Sequence, residues 1–215
     1  MSTVRSLWVG HSQLGGRTSM EIGGPGSKVL LLGSRANEMA ALAAISARDA
    51  GGRPIILDLG GTLAQKLSGH FETFDYRSFL YDSFRLETPE EWHAELVAAA
   101  YAATLDLSSE EEAIIMSALH GPSKEGGMAS PSAIYNVIGG VEGFRGFYVD
   151  KLKGHIGLLK LLEAVDDQTF GTLTRGNVLV DFHGAPYPLA GELAASLFIA
   201  KILAVANATG TVESP

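Results

Sequence analysis

Three polar residues follow short apolar stretches and are candidates for acid–base or metal chemistry. Asp58 ends the run Ile55–Leu57, Asp181 ends the run Val178–Val180, and His183 lies two residues further on. The carboxyl ends of parallel strands line the ligand crevice of open α/β sheets. Asp58, Asp181 and His183 are therefore weak catalytic candidates for a small α/β enzyme of the hydrolase type. We favour the alternative that each aspartate caps the turn that follows its strand.

A second candidate site lies where a buried strand would lead into a helix. A phosphate-binding loop reads Gly-x-x-x-x-Gly-Lys-Ser/Thr, and residues 33–40, Gly-Ser-Arg-Ala-Asn-Glu-Met-Ala, occupy that register. Glu38 replaces the second glycine, Met39 replaces the lysine and Ala40 replaces the hydroxyl residue. A negative charge thus stands where a triphosphate would sit, so we expect no nucleotide hydrolysis. The vestigial loop comprises Gly33, Ser34, Arg35, Asn37, Glu38 and Met39, and Arg35 is its local cation.

The remaining residue types give no sign of a metal or a cofactor. The chain has no cysteine, which excludes disulfides, thiolate metal sites and a cysteine nucleophile. Its six histidines show no metal-ligand spacing. The nucleophile-elbow, zinc-protease and dinucleotide-binding motifs are also missing from the sequence. We therefore assign no confident catalytic residue and expect neither a metal nor a cofactor.

Composition indicates a globular chain with a substantial core. The 215 residues are 46% hydrophobic and 19% charged, with a formal net charge of -8. Direct nucleic-acid binding is not expected of so acidic a chain, because phosphate contacts need clustered Lys and Arg. The most apolar stretch, residues 193–206, is too short to span a bilayer and contains Lys201. With no apolar leader in residues 1–16, we expect a cytoplasmic protein without a membrane span.

The whole net charge lies in one segment. Residues 87–112 contain eight acidic residues and no Lys or Arg, whereas the other 16 acidic residues balance the 16 basic ones. We favour a solvated helical face for this segment. The alternative is a docking surface for a basic partner.

Hydrophobic patterns predict the elements that would position these residues. Residues 7–9 and 19–22 suit a small hairpin. Residues 28–32, 38–50 and 54–58 form a strand, a helix and a strand at the spacing of a βαβ unit. A further short strand is predicted around residues 79–81.

From residue 88 onward the sequence pattern becomes typical of helices. Capping boxes and Pro at the first helical position predict helices beginning near residues 89, 109 and 131, and a fourth over 151–165. A strand at 177–182 and a long helix at 189–207 follow.

In order and kind these features resemble the HerA/FtsK superfamily of P-loop ATPases, particularly the HerA-like and the conjugation or type IV secretion ATPases. Residues 29–40 lie at the position of the family's Walker A strand and loop. Residues 55–61 resemble its strand ending in Asp-x-x-Gly-Glu, with Thr62 in place of the Glu. Residues 176–184 followed by 193–205 resemble a later strand and a long apolar helix.

The resemblance implies an α/β fold of the P-loop-NTPase (RecA-like) type, with a mostly parallel sheet and a helical insertion. It implies a small N-terminal β element at 1–27, an α/β core at 28–87 and 171–215, and the insertion at 88–170. The family's Walker B and sensor strands would come after the last residue of this sequence. We therefore expect a degenerate, truncated relative that lacks them.

For function, the resemblance implies a protein without ATPase activity. Strand edges left open by missing strands are association sites. We therefore expect a structural or regulatory subunit that forms a homo-oligomer or docks on an intact ATPase paralogue. Two alternatives stay open. One is the small enzyme described above, and the other is a nucleotide-binding module without hydrolysis, which would hold a phosphate on the amides of residues 34–37.

Overall fold

The computed structural model describes residues 5–11, 17–22, 36–87, 90–120, 129–160, 162 and 168–208. Contacts between residues divide the chain into two compact units, each made of two segments. The first unit holds residues 1–74 and 171–181, and the second holds residues 75–170 and 182–215. The C-terminal residues thus fall in the same unit as the helical block. The three-part division into β element, core and insertion stays a prediction.

The first unit contains a hairpin and a small sheet with helices. The hairpin pairs β1 (Arg5–His11) with β2 (Arg17–Ile22), and the unit continues with α1 (Ala36–Asp49), β3 (Ile55–Asp58), α2 (Thr62–Lys66), β4 (Glu72–Asp75, at the unit boundary) and β5 (Val178–Asp181). These elements confirm the predicted hairpin, the predicted helix at 38–50 and the predicted strands at 54–58 and 177–182. The strand predicted at 28–32 lies outside the described residues.

The sheet has the order β3-β5-β4, with β3 and β5 parallel. Val178, Leu179 and Val180 are fully buried, a continuous apolar run that is typical of a central parallel strand. Leu179 belongs to a core cluster with Ala41, Leu67 and Phe71. The mixed α/β class is therefore confirmed, with a small sheet and a majority of helices.

The second unit is helical. Its elements are a 3₁₀ helix (Tyr76–Phe79), α3 (Leu80–Phe84), α4 (Glu90–Leu105), α5 (Ser109–His120), α6 (Pro131–Ile138), α7 (Gly146–Leu159) and α8 (Pro188–Ala208). The helices predicted in this part of the chain are confirmed. The bounds of α7 differ from the predicted 151–165, since this helix begins five residues earlier, at Gly146, and ends six residues earlier, at Leu159.

The short strand predicted around residues 79–81 is wrong, because these residues are helical. The Asp75 carboxylate accepts the Arg77 backbone N–H at 2.9 Å and so begins the 3₁₀ helix. Tyr76, Leu80 and Phe84 are all buried. Their spacing of four residues is that of a helix face, which the sequence interpretation missed.

Side-chain caps fix the beginnings of two helices in this unit. The Ser108 hydroxyl accepts the Glu111 backbone N–H at 3.3 Å, and the Glu111 carboxylate accepts the Ser108 backbone N–H at 3.0 Å. This reciprocal pair is the predicted capping box of α5. The Ser130 hydroxyl likewise accepts the Ala133 backbone N–H at the start of α6, where Pro131 is the first helical residue.

Helix α8 is longer than residues 193–206, the apolar stretch that was judged too short to span a bilayer. Residues 188–205 are long and apolar enough to cross a membrane, with a mean hydropathy of 1.7, so the prediction that this segment is too short is wrong. However, 56% of this window is buried. Phe198 lies 4.7 Å from Phe170 and 5.5 Å from Phe79, measured between ring centroids. These contacts are those of a core helix within the second unit.

The turn before β5 depends on backbone conformations that few residues adopt. Gly176 and Asn177 have φ values of 72° and 56°, in the left-handed region that favours Gly and Asn. A Cβ on Gly176 would lie 2.3 Å from the Arg53 Cβ. The turn therefore brings the chain against the segment that leads into β3, where the Val178 backbone N–H donates to the Pro54 carbonyl at 3.3 Å.

Replacing Gly176 by Ala will destabilise the protein, because it adds a steric clash to the cost of the left-handed conformation. We expect the free energy of unfolding in urea to fall by more than about 2 kcal/mol. Gly51→Ala is the matched control. Gly51 has a similar φ of 77° but no described atom within 4 Å of its Cβ position, so a loss of only about 1 kcal/mol is expected. Equal losses for the two variants would contradict this account of the turn.

Candidate functional site

The two strand-end aspartates lie side by side. Asp58 ends β3 and Asp181 ends β5, and the two are direct partners in the parallel register of these strands. Adjacent strands are about 4.8 Å apart. The structure therefore places the two aspartates that the sequence singled out next to each other, at the carboxyl ends of their strands, where α/β proteins hold ligands.

The Asp58 carboxylate is committed to the backbone. The residue is 4% exposed. One oxygen accepts the Gly60 N–H at 3.2 Å, and the other accepts the Ala64 N–H at 2.7 Å, in the first turn of α2. Asp58 thus supplies the negative charge that favours the amino end of this helix. These contacts support the capping interpretation of Asp58.

Asp181 and His183 have different environments. Asp181 is half-buried at the end of β5, and His183 is exposed in the turn that follows. Both make interactions with neighbouring groups. Among the described residues, no group of three His, Asp or Glu side chains is arranged to hold a metal ion. Whether Asp58, Asp181 and His183 act together stays a prediction.

Half of the vestigial phosphate loop can be placed. Asn37, Glu38 and Met39 lie in the first turn of α1, and residues 33–35, which include Arg35, lie outside the described residues. The Glu38 carboxylate is 3.8 Å from the Lys66 ammonium, and both side chains are about 40% exposed. In the register of the phosphate-loop motif, Glu38 therefore stands in the first turn of α1 where the motif has its second glycine. Met39 stands where the motif has its lysine.

Sequence reasoning missed a buried charged cluster in the second unit. The Lys201 side chain is 1% exposed. Its ammonium donates to the Arg85 carbonyl at 2.6 Å and lies 2.5 Å from a Glu87 carboxylate oxygen and 3.9 Å from an Asp82 oxygen. The signal was available, since Lys201 is the one charged residue within a long apolar run. The partners were not visible, because they lie more than a hundred residues earlier in the chain.

His93 belongs to the same cluster. The side chain is fully buried, and Nδ1 accepts the Glu87 backbone N–H at 2.8 Å. Nε2 is also buried and has no hydrogen-bond partner among the described residues. The pKa of His93 is lowered to about 4. Burial is the largest cause of this value; the positive charge of Lys201 contributes to the lowering and Glu87 opposes it. The imidazole is therefore neutral at physiological pH.

The acidic segment is not uniformly solvated. Glu87 pairs with Lys201, and the fully buried Glu111 pairs with Lys151 at 3.0 Å. Burial opposes ionisation of Glu111, but hydrogen bonds from Ser108 and Lys151 outweigh it, so the pKa of Glu111 is lowered. Four other members are exposed, as expected for a solvated helical face: Glu91, Glu95, Asp106 and Glu110.

Comparison with known proteins supports a relation in fold. No protein-family model matches the chain, and no curated protein sequence matches it. Among solved structures, the chain is similar to VirB4 of Thermoanaerobacter pseudethanolicus, with a TM-score of 0.53 and 13% identity over 94% of this chain. The match covers 64% of the VirB4 chain, so the present sequence spans less than two thirds of that protein. VirB4 is a conjugation and type IV secretion ATPase. At this identity the likeness shows the fold alone, a mixed α/β arrangement.

Removing the Asp58 carboxylate will destabilise the protein, because two backbone amides lose their acceptor. For Asp58→Ala we expect the free energy of unfolding in urea to fall by about 1–3 kcal/mol. Asp49→Ala is the control, since the Asp49 side chain is 60% exposed and pairs with Arg48 next to it in sequence; its effect should stay within about 0.5 kcal/mol. An Asp58→Ala protein of unchanged stability would favour a role in ligand binding instead.

The stability of the helical unit should fall as the pH falls from about 6.5 to about 4. The pKa of His93 is lowered in the folded protein, so the unfolded chain binds a proton first on acidification. The difference from the ordinary value of 6.5 corresponds to about 3 kcal/mol. Urea unfolding at several pH values should show this loss in the parent protein.

His93→Asn supplies the comparison, since an amide oxygen can replace Nδ1 as an acceptor but does not titrate. Its stability should depend less steeply on pH over the same range. His120→Asn is the matched control, because His120 is exposed, and it should follow the parent protein. A His93→Asn protein with the parent's pH profile would contradict the assignment.

Proposed function

We propose that this chain is a relative of the P-loop ATPases that does not hydrolyse nucleotide and acts as a structural or regulatory subunit. The observation that carries the proposal is the first turn of α1, where Glu38 and Met39 stand at the positions of the glycine and lysine of a phosphate loop. The likeness in fold to VirB4 supports comparing these positions with those of a phosphate loop. We propose that it works in the cytoplasm, through self-association or by docking on an intact ATPase.

Electrostatics at α1 support the absence of hydrolysis. Amide groups at the amino end of a helix attract phosphate, and a carboxylate in the first turn takes that favourable position itself. The Lys66 ammonium near Glu38 neutralises part of this charge, but exposed pairs of this kind contribute little. Met39 and Ala40 supply neither the cation for the β and γ phosphates nor the hydroxyl for Mg²⁺.

A second candidate function rests on the register of Asp58 with Asp181. Two carboxylates on adjacent strands are an arrangement used for acid–base catalysis. The hydrogen bonds of Asp58 to two backbone amides argue against this use, because both carboxylate oxygens are already engaged by the backbone. We therefore rank the enzyme of hydrolase type second, and the nucleotide-binding module third.

Calorimetric titration with ATP and Mg²⁺, together with a phosphate-release assay, tests the proposal. We expect neither binding heat nor phosphate release from the parent chain. The triple variant Glu38→Gly, Met39→Lys, Ala40→Thr restores the three matched positions and should gain measurable ATP binding. Glu38→Gln is the matched control, because it removes the charge without restoring the loop, and it should show no ATP binding. Phosphate release by the parent chain would refute the proposal.

A further inference from the structure

One side of α7 is exposed and combines a large aromatic side chain with a glycine two turns away. Phe147 is 72% exposed, the highest value among the large hydrophobic residues of the described chain. Its ring packs edge-on against Tyr148 at 5.6 Å between centroids. Asp150, Lys151 and Gly154 are also exposed, and at 100° per residue they share the helix face of Phe147. This face, residues 147, 150, 151 and 154, is called the α7 face below.

Gly154 has no explanation within the described chain. A glycine in a helix interior costs about 1 kcal/mol relative to alanine. No described atom lies within 4 Å of the position that its Cβ would occupy. Gly157 differs from Gly154, since its Cβ position lies 3.7 Å from the Tyr135 ring of α6, an ordinary van der Waals contact. The surface of α7 at Gly154 is therefore an open notch with room for a side chain of another molecule.

We propose that the α7 face pairs with the α7 face of a second copy of this chain, in antiparallel orientation about a two-fold axis. Phe147 and Gly154 are seven residues apart, which is about 10.5 Å along the helix. A two-fold axis between residues 150 and 151 sets Phe147 of each copy opposite Gly154 of the other. Each aromatic ring then fills the notch of the facing helix, as a side-chain knob fills a hole in packed helices.

Charge supports a second copy as the occupant. The same axis sets Asp150 of each copy opposite Lys151 of the other, so both charge pairs are attractive. Lys151 is held in place by Glu111 at 3.0 Å, yet its side chain remains 42% exposed. A two-fold interface must be self-complementary, and the α7 face meets this condition in both shape and charge. The inference rests on the part of the proposed function that invokes self-association, and it names the surface through which the two copies would associate.

Exchange of the knob and the notch tests the pairing. Sedimentation equilibrium should show a dimer of the parent chain. Phe147→Ala removes both knobs, and Gly154→Phe sets two rings against each other, so each variant should weaken the dimer about 30-fold or more. The double variant Phe147→Ala, Gly154→Phe exchanges knob and notch, and it should recover most of the affinity. Thermal unfolding of each variant shows whether the fold is retained.

An engineered disulfide gives a second measurement, which reports which residues face each other in the dimer. The chain has no cysteine, so Asp150→Cys introduces a single thiol next to the proposed axis. Mild oxidation should link this variant into covalent dimers. Glu110→Cys, at an exposed position of α5, is the control and should remain mostly uncrosslinked.

The outcomes separate this inference from the proposed function. A parent dimer that both single variants leave intact, or that Glu110→Cys traps as readily as Asp150→Cys, overturns the α7 pairing but not the proposed subunit role. A parent chain that is monomeric at every concentration overturns the pairing and the self-association half together, leaving docking on an ATPase. Nucleotide hydrolysis by a dimer whose affinity follows the knob exchange overturns the proposed function and supports the pairing.

Discussion

The helical unit is organised around one buried ammonium group. Lys201 is the one charged residue in the apolar stretch 193–206 of α8, and burial of that stretch would take an unpaired charge out of water at a cost of several kcal/mol. The Arg85 carbonyl and the Glu87 carboxylate provide the partners that offset this cost. One oxygen of Asp82 lies 3.9 Å from the ammonium, and the other accepts the Phe170 backbone N–H at 2.8 Å. The positions of α3, α4 and α8 are therefore linked by one set of polar contacts.

The same cluster explains why part of the acidic segment is structural. Glu87 was counted in the sequence as one of eight uncompensated charges, yet its partner comes from the far end of the chain. Glu111 is similar, because Lys151 neutralises it from α7. A pair of this kind leaves no local pattern, since the two residues need no fixed spacing. Charge counting along the sequence therefore overestimated the free negative charge of residues 87–112, while the net charge of the chain stays -8.

Local signals predicted most of the secondary structure. Capping residues such as Ser108 and Ser130 act within one helical turn, so their pattern is complete in the sequence. The segment at residues 76–84 was misjudged because its aromatic residues suit a strand by type, while their spacing is helical. The strand-end position of Asp58 was also predictable. Its role as an acceptor for α2 was not predictable, because the Ala64 N–H that donates to it comes within reach only once α2 has formed beside β3.

The register of β5 has a consequence for how the chain folds. This strand lies between β3 and β4, and Val178 pairs with Ile55, so the middle of the sheet is supplied after most of the helical residues. The first unit is not continuous in sequence, and neither is the second. Closing such a long loop must precede the gain from strand pairing, which slows folding. During synthesis, β3 and β4 must wait for their shared neighbour while the helices between them and β5 are being made.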